Sequence, residues 1–233
     1  MITCLVCSNK NDDAAVVCYS CGSYLQERVP NLDFFPMIWK IIESPKTALL
    51  RVLIAEHKNY VLLLNLFLGI AVSFMLLWLR HAGNEFDNLI YLLLLGIVIG
   101  IVLAYPLGMG AVYGIHALAK LFRGKGTIRN TYAVIGWSLA PIMLSVVFIL
   151  PIELASMGLL FFTTNPSAFE IKPAVFSALV GFDGIAVLWS VYLAANGVHI
   201  VHKIHFFAAL LVVFIVAMVL FASAYMLFAS VVI

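Results

Sequence analysis

The sequence predicts an all-α polytopic membrane protein, with five transmembrane helices behind a small N-terminal head. Charged residues make up 10% of the 233-residue chain and apolar ones 64%, and the mean hydropathy is +1.12. An average soluble domain carries about 25% charged residues. The apolar residues come in runs of roughly 20, which matches the hydrocarbon thickness of a bilayer. Polar residues gather in the first ~35 positions, a stretch too short to bury a core without a staple. The net charge of +2 gives no reason to expect a nucleic-acid partner.

The staple is visible in "MITCLVCSNKNDDAAVVCYSCGSYL", which holds all four cysteines, Cys4, Cys7, Cys18 and Cys21, spaced C-x2-C-x10-C-x2-C. Four thiolates close a tetrahedral site with no open position for water, so the expected ligand is structural Zn2+ rather than a catalytic ion; iron also accepts such a set. Gly22 stands where a tight knuckle turn favours a residue without a Cβ, while the first knuckle has Ser8 there. Val16, Val17, Tyr24 and Leu25 are candidates for a miniature core around the ion. Met1–Tyr24 has no basic stretch leading into an apolar one, so the head is expected in the cytoplasm, where paired cysteines read as metal ligands. The pattern resembles the short zinc-ribbon modules at the N-termini of many prokaryotic membrane proteins. "CYSCGSYL" keeps their glycine and leucine, and "CLVC" lacks their proline and glycine.

This head is assigned to residues 1–28, a juxtamembrane amphipathic segment to 29–58 and the five-span domain to 59–233. In the segment, Ser44-Pro45 reads as an N-cap followed by proline at the first helical position. Trp39, Lys40, Lys46, Arg51 and Lys58 flank apolar residues, as in helices lying among lipid headgroups; packing on the spans as scaffold is the alternative.

The spans are expected near 60–79, 89–117, 132–162, 174–198 and 204–232. With the N-terminus inside, Lys10, Arg28, Lys40, Lys46, Arg51, Lys58, Lys120, Arg123, Lys125, Arg129 and Lys203 lie on the inner side, and Arg80 and Lys172 on the outer. That asymmetry places the N-terminus in the cytoplasm and the C-terminal "VVI" outside. Gly96-x-x-x-Gly100 and Gly110-x-x-x-Gly114 predict a bundle-centre helix, with homo-oligomerisation through it as an alternative. Pro106, Pro141 and Pro151 are expected to kink or break their helices.

Few residues carry chemistry. Asp183 falls near the bilayer midplane with no Lys or Arg at its depth, which marks a functional pathway or a pinned packing contact. Ser190 shares its helix face, Glu153 is expected near the outer interface in reach of water, and His116 lies towards the inner end of the second span. Together these four make a candidate intramembrane polar site, with no carboxylates paired at a useful separation. His199, His202 and His205 recur three apart, which allows a second metal site or plain interfacial polarity. "LFRGKGTIRN" fails the phosphate-loop pattern, because Gly126 follows Lys125. Arg123, Lys125 and Arg129 there read as contacts to anionic headgroups.

"IIESPKTALLRVL", the five spans and "GKGTIRNTYAVIGWSLAPIML" together resemble the Yip (Ypt-interacting protein) family over residues 34–233. Ser44-Pro45 replaces an asparagine-proline often seen there. Eukaryotic members resemble one another as trafficking proteins that contact small GTPases and shape membranes. The cysteine head is similar to bacterial and archaeal members, which lack that trafficking system. The resemblance therefore implies a membrane scaffold or accessory subunit, with no catalytic residues to carry over, in a prokaryotic plasma membrane. The expected function is non-enzymatic docking of a cytoplasmic or membrane protein partner, in contact with membrane lipids. The alternative is a small transporter or channel built on Asp183.

Overall fold

A computed structural model describes residues 1–27 and 29–231. Arg28, one of the basic residues assigned to the inner side, and Val232 and Ile233, which close the expected fifth span, lie outside the described residues.

The head is built from β1 (Ile2–Thr3) and β2 (Lys10–Asn11), an antiparallel pair with Ile2 opposite Asn11 and Thr3 opposite Lys10. The second knuckle repeats this frame: Val17 bridges Tyr24, and the Leu25 N–H donates to the Val16 carbonyl. The Val16, Val17, Tyr24 and Leu25 core does not form, since Val17 is 45% and Tyr24 67% exposed. What this loop-rich head buries is Cys4, Cys18 and Asn11.

Two short helices follow, α1 (Phe34–Glu43) and α2 (Pro45–Ile54). Pro45 opens α2 as the sequence predicts, but the Ser44 hydroxyl donates back to the Lys40 carbonyl at 3.5 Å instead of capping α2. Met37, Ile41, Leu49 and Val52 pack with Ala133, Val134, Trp137 and Leu193 of the third and fourth spans. Phe35, Trp39 and Ile42 stay exposed, so α1 is apolar on two faces. The Lys58 ammonium caps α2, donating to the Val52 and Leu53 carbonyls at 2.6 and 2.8 Å. Burial, and then the nearby Arg129 charge, lower the Lys58 pKa to about 8.

Five helices are long and apolar enough to cross a membrane. The first is α3 (Val61–Leu79) and the second α4 (Leu89–Leu121). The third, Ile128–Phe162, runs through α5 (Ile128–Ser138), α6 (Ala140–Leu144), a π turn at Ser145–Ile149, α7 (Leu150–Met157) and a 3-10 turn at Gly158–Phe162. After the short α8 (Ala168–Ile171) come α9 (Pro173–His202) and α10 (Phe206–Val231). The third span breaks as its prolines predict: Pro141 opens α6, and Pro151, which has no N–H to donate, follows the π turn. Pro106 breaks nothing, because α4 stays helical throughout.

α4 is not the central helix that its glycines predict: it packs one face on α3 and leaves Tyr91, Ile101, Val102 and Tyr105 exposed on the other. Its Gly96–Gly100 pair faces α3, where the Ser73 hydroxyl donates to the Gly96 carbonyl at 2.7 Å. A Cβ on Gly100 would sit 2.7 Å from the Ile70 Cα, so only glycine permits this crossing. Gly110 and Gly114 face Leu220 and Val216 of α10. Both motifs meet helices of the same chain. The half of α9 away from the head is the loosest part: Phe182, Ile185 and Leu188 are exposed, and nothing lies within 4 Å of a Cβ placed on Gly181 or Gly184.

Candidate functional site

The two knuckles are laid out alike. Ser8 N–H donates to the Cys4 carbonyl at 2.9 Å, and Gly22 N–H to the Cys18 carbonyl at 3.0 Å. Each of those donors takes a left-handed backbone, φ 59° at Ser8 and 74° at Gly22. Glycine is at home there, whereas serine is strained. The turns bring all four sulfurs within 4.8 Å of one another, with Cys4 to Cys21 at 3.6 Å and Cys7 to Cys18 at 3.5 Å. A tetrahedral ion at about 2.3 Å from each sulfur sets them about 3.8 Å apart, so the set fits a metal ion.

The surroundings favour the thiolate at Cys4 and Cys18. The Ser23 hydroxyl, 3.1 Å from Cys4 Sγ, and the Cys7 and Val6 backbone N–H groups hold the Cys4 thiol down at about 6. The Cys18 thiol is also lowered, first by the Cys21 N–H and with help from the Ser20 N–H and the Asn11 amide. At Cys7 the Asn9 N–H pulls downward, but burial and the other three sulfurs outweigh it and push the thiol up to about 11. Four crowded sulfurs with donors around them invite a cation, whose charge removes the repulsion that holds the last proton.

Within the membrane the structure sorts the four candidate polar residues into separate places. Ser145, on the π turn, donates to Asp183 of α9. Glu153 of α7 is 1% exposed and its Oε1 has no hydrogen-bond partner among the described residues, which corrects the expectation that its carboxyl reaches water. Ser190 is buried on α9 with its hydroxyl unpartnered, and it is Ser145, not Ser190, that engages Asp183.

His116 belongs elsewhere. At the head end of the bundle, the Thr131 hydroxyl donates to the Thr127 carbonyl at 3.0 Å and so accepts from His202 Nε2 at 2.9 Å. His116 Nδ1 lies 3.4 Å from the same hydroxyl, with its ring 5.2 Å from that of His202. His202 is wholly buried, and its Nδ1 has no partner. The "RGKGT" turn lies over it: a Cβ on Gly124 would sit 2.7 Å from His202 Nδ1, and Lys125 N–H donates to the His202 carbonyl at 3.0 Å. The glycines there make room for a histidine, a role no sequence pattern announced. His199 Nδ1 instead meets the Ile204 carbonyl at 2.6 Å, and His205 is exposed, so the three recurring histidines do not converge on one ion. Arg123, Lys125 and Arg129 are exposed; Arg129 donates to the Glu56 carbonyl at 2.5 Å.

Fold and site thus define a polytopic helical membrane protein with a four-cysteine head that could bind a metal. Residues 39–227 match the Yip1 domain, and the chain belongs to that family. No curated protein and no solved structure matches it.

Proposed function

We propose that the protein is a non-enzymatic membrane scaffold or accessory subunit whose zinc-stapled head, residues 1–28, docks a protein partner in the cytoplasm. Residues 29–58 lie at the headgroup level and 59–233 form the membrane bundle, with the N-terminus inside and the C-terminus outside. The observation that carries this reading is the outward face of the knuckles. Leu5, Val6 and Tyr19 are 101%, 75% and 78% exposed at the two knuckle tips, while the four sulfurs gather on one another. A site closed by four sulfurs has no catalytic position, so the work of the head falls to its surface. Structural Zn2+ would hold Cys4, Cys7, Cys18 and Cys21 and fix that surface. Lys203 pairs with Asp12, which ties the head to the turn before α10. The exposed Arg123, Lys125 and Arg129 contact anionic lipid headgroups on the same side.

The test is purification of the full-length protein in mild detergent from its native membrane, beside a Leu5→Ser/Tyr19→Ser variant. A stoichiometric protein partner lost from the variant, with metal content unchanged, is the expected result. A partner retained by the variant removes the knuckle tips as the docking surface, and the absence of any partner in both forms removes the docking function.

A further inference from the structure

We propose that the groove between α1, the third span and α9 holds one acyl chain of an anionic phospholipid, drawn from the leaflet on the head's side of the membrane. The proposal is independent of partner docking by the head. Geometry places the groove. Ile38 and Ile42 of α1 close its head end, residues between Ala140 and Ile149 of the third span form one wall, and residues between Phe182 and Trp189 of α9 form the other. Its volume is about 480 Å³, within the roughly 300–1,000 Å³ of pockets that take a ligand. At a rise of about 1.5 Å per residue the two walls run about 14 and 10 Å along the spans. One leaflet of a hydrocarbon core about 30 Å thick is about 15 Å deep. The groove therefore has the length of one chain's path from headgroup towards midplane.

The space comes from small residues and a distorted helix. Ala140 and Ala186, one on each wall, are too short to close it. The π turn at Ser145–Ile149, a distortion frequent at functional sites, forms its deep end. Left empty, such a gap forfeits dispersion contacts along its whole lining.

The lining also decides which end of an amphiphile enters. Among the described residues no charged side chain lines the groove, and its one hydroxyl, on Ser145, donates to Asp183. A phosphate placed there would lose its water and gain no charged partner. The polar end therefore stays at the head end. There α1 and α2 carry Lys40, Lys46 and Arg51 against Glu43 alone, a basic segment that complements an anionic headgroup. Phe35, Trp39 and Ile42, exposed along α1, give that helix the apolar face of one lying in the interface.

A phosphatidylglycerol carrying a diazirine midway along one acyl chain tests this on the full chain in lipid nanodiscs. Crosslinks mapped by mass spectrometry are expected on groove residues such as Leu144 and Ile185. Unlabelled phosphatidylglycerol should displace them well before it displaces label from Tyr105, exposed on α4. Ala186→Phe, which fills the groove, is expected to abolish the groove crosslinks and leave those on Tyr105. Groove label displaced no more readily than that on Tyr105 marks ordinary surrounding lipid and overturns the proposal. Equal displacement by phosphatidylcholine overturns the anionic headgroup. No label in the groove overturns the lipid, and a dimeric mass in native mass spectrometry then names a second copy as the occupant. The displacement series reads the wild-type chain, so it holds even if the variant does not fold.

Discussion

In the head, the buried side chains are two cysteines and an asparagine, and the strands are two residues long. In the bundle, α3 and α4 cross so closely that Gly69, Gly100 and Ala104 bring backbone against backbone, and one serine hydroxyl bonds across. The head has almost no apolar area to bury, and on the proposed function bonds to an ion at its four cysteines would hold it. The bundle, in lipid, gains little from burying apolar surface as such and depends on close packing and hydrogen bonds between helices. The chain therefore carries two cohesive mechanisms that fail under different treatments.

The sharpest way to separate them is metal removal. Binding of a structural ion in such a site is worth about 10–16 kcal/mol. A strong chelator, or Cys4→Ser/Cys18→Ser, should unfold the head and leave the bundle helical. Limited proteolysis within residues 1–27 with unchanged far-ultraviolet dichroism would show it; a bundle that melts with the head would break the comparison. Gly100→Leu is the reverse experiment. Its side chain meets the Ile70 backbone, and overpacking of this kind costs about 3 kcal/mol. The detergent melting temperature should fall while metal content per chain stays constant.

Thr131→Val probes polar cohesion within the bundle. It strips His202 Nε2–H of its acceptor in a fully buried place and should cost about 1–3 kcal/mol, read from thermal unfolding in detergent. The smallest expected effect is a gain. Ser8→Gly relieves a left-handed serine, and should stabilise the metal-loaded head by about 1 kcal/mol, measured as tighter metal retention in a chelator titration. No change there would mean that Ser8 makes up its strain through another contact.

The sequence by itself determined the elements. Apolar runs of bilayer length fix five spans because no other structure satisfies the backbone in lipid, and the observed spans fall within a few residues of those expected. Two C-x-x-C pairs place four sulfurs around one point because each knuckle presents two. Pro45 marked a helix start, and Pro141 and Pro151 marked breaks in the third span, because proline's missing N–H is a local fact. What the tertiary structure alone decided is which polar groups meet. Ser145 and Asp183 are 38 positions apart on different helices, and their hydrogen bond depends on how the third span packs on α9. His202 reaches Thr131 across 71 positions, and only that contact explains why "RGKGT" needs its glycines. The glycine pairs of α4 announced close approach, but whether to α3, α10 or a second copy depended on which surfaces the fold leaves free. Local chemistry sets an element's kind and length; the meeting of distant side chains depends on helix rotation and kinks, which arise when the whole bundle packs.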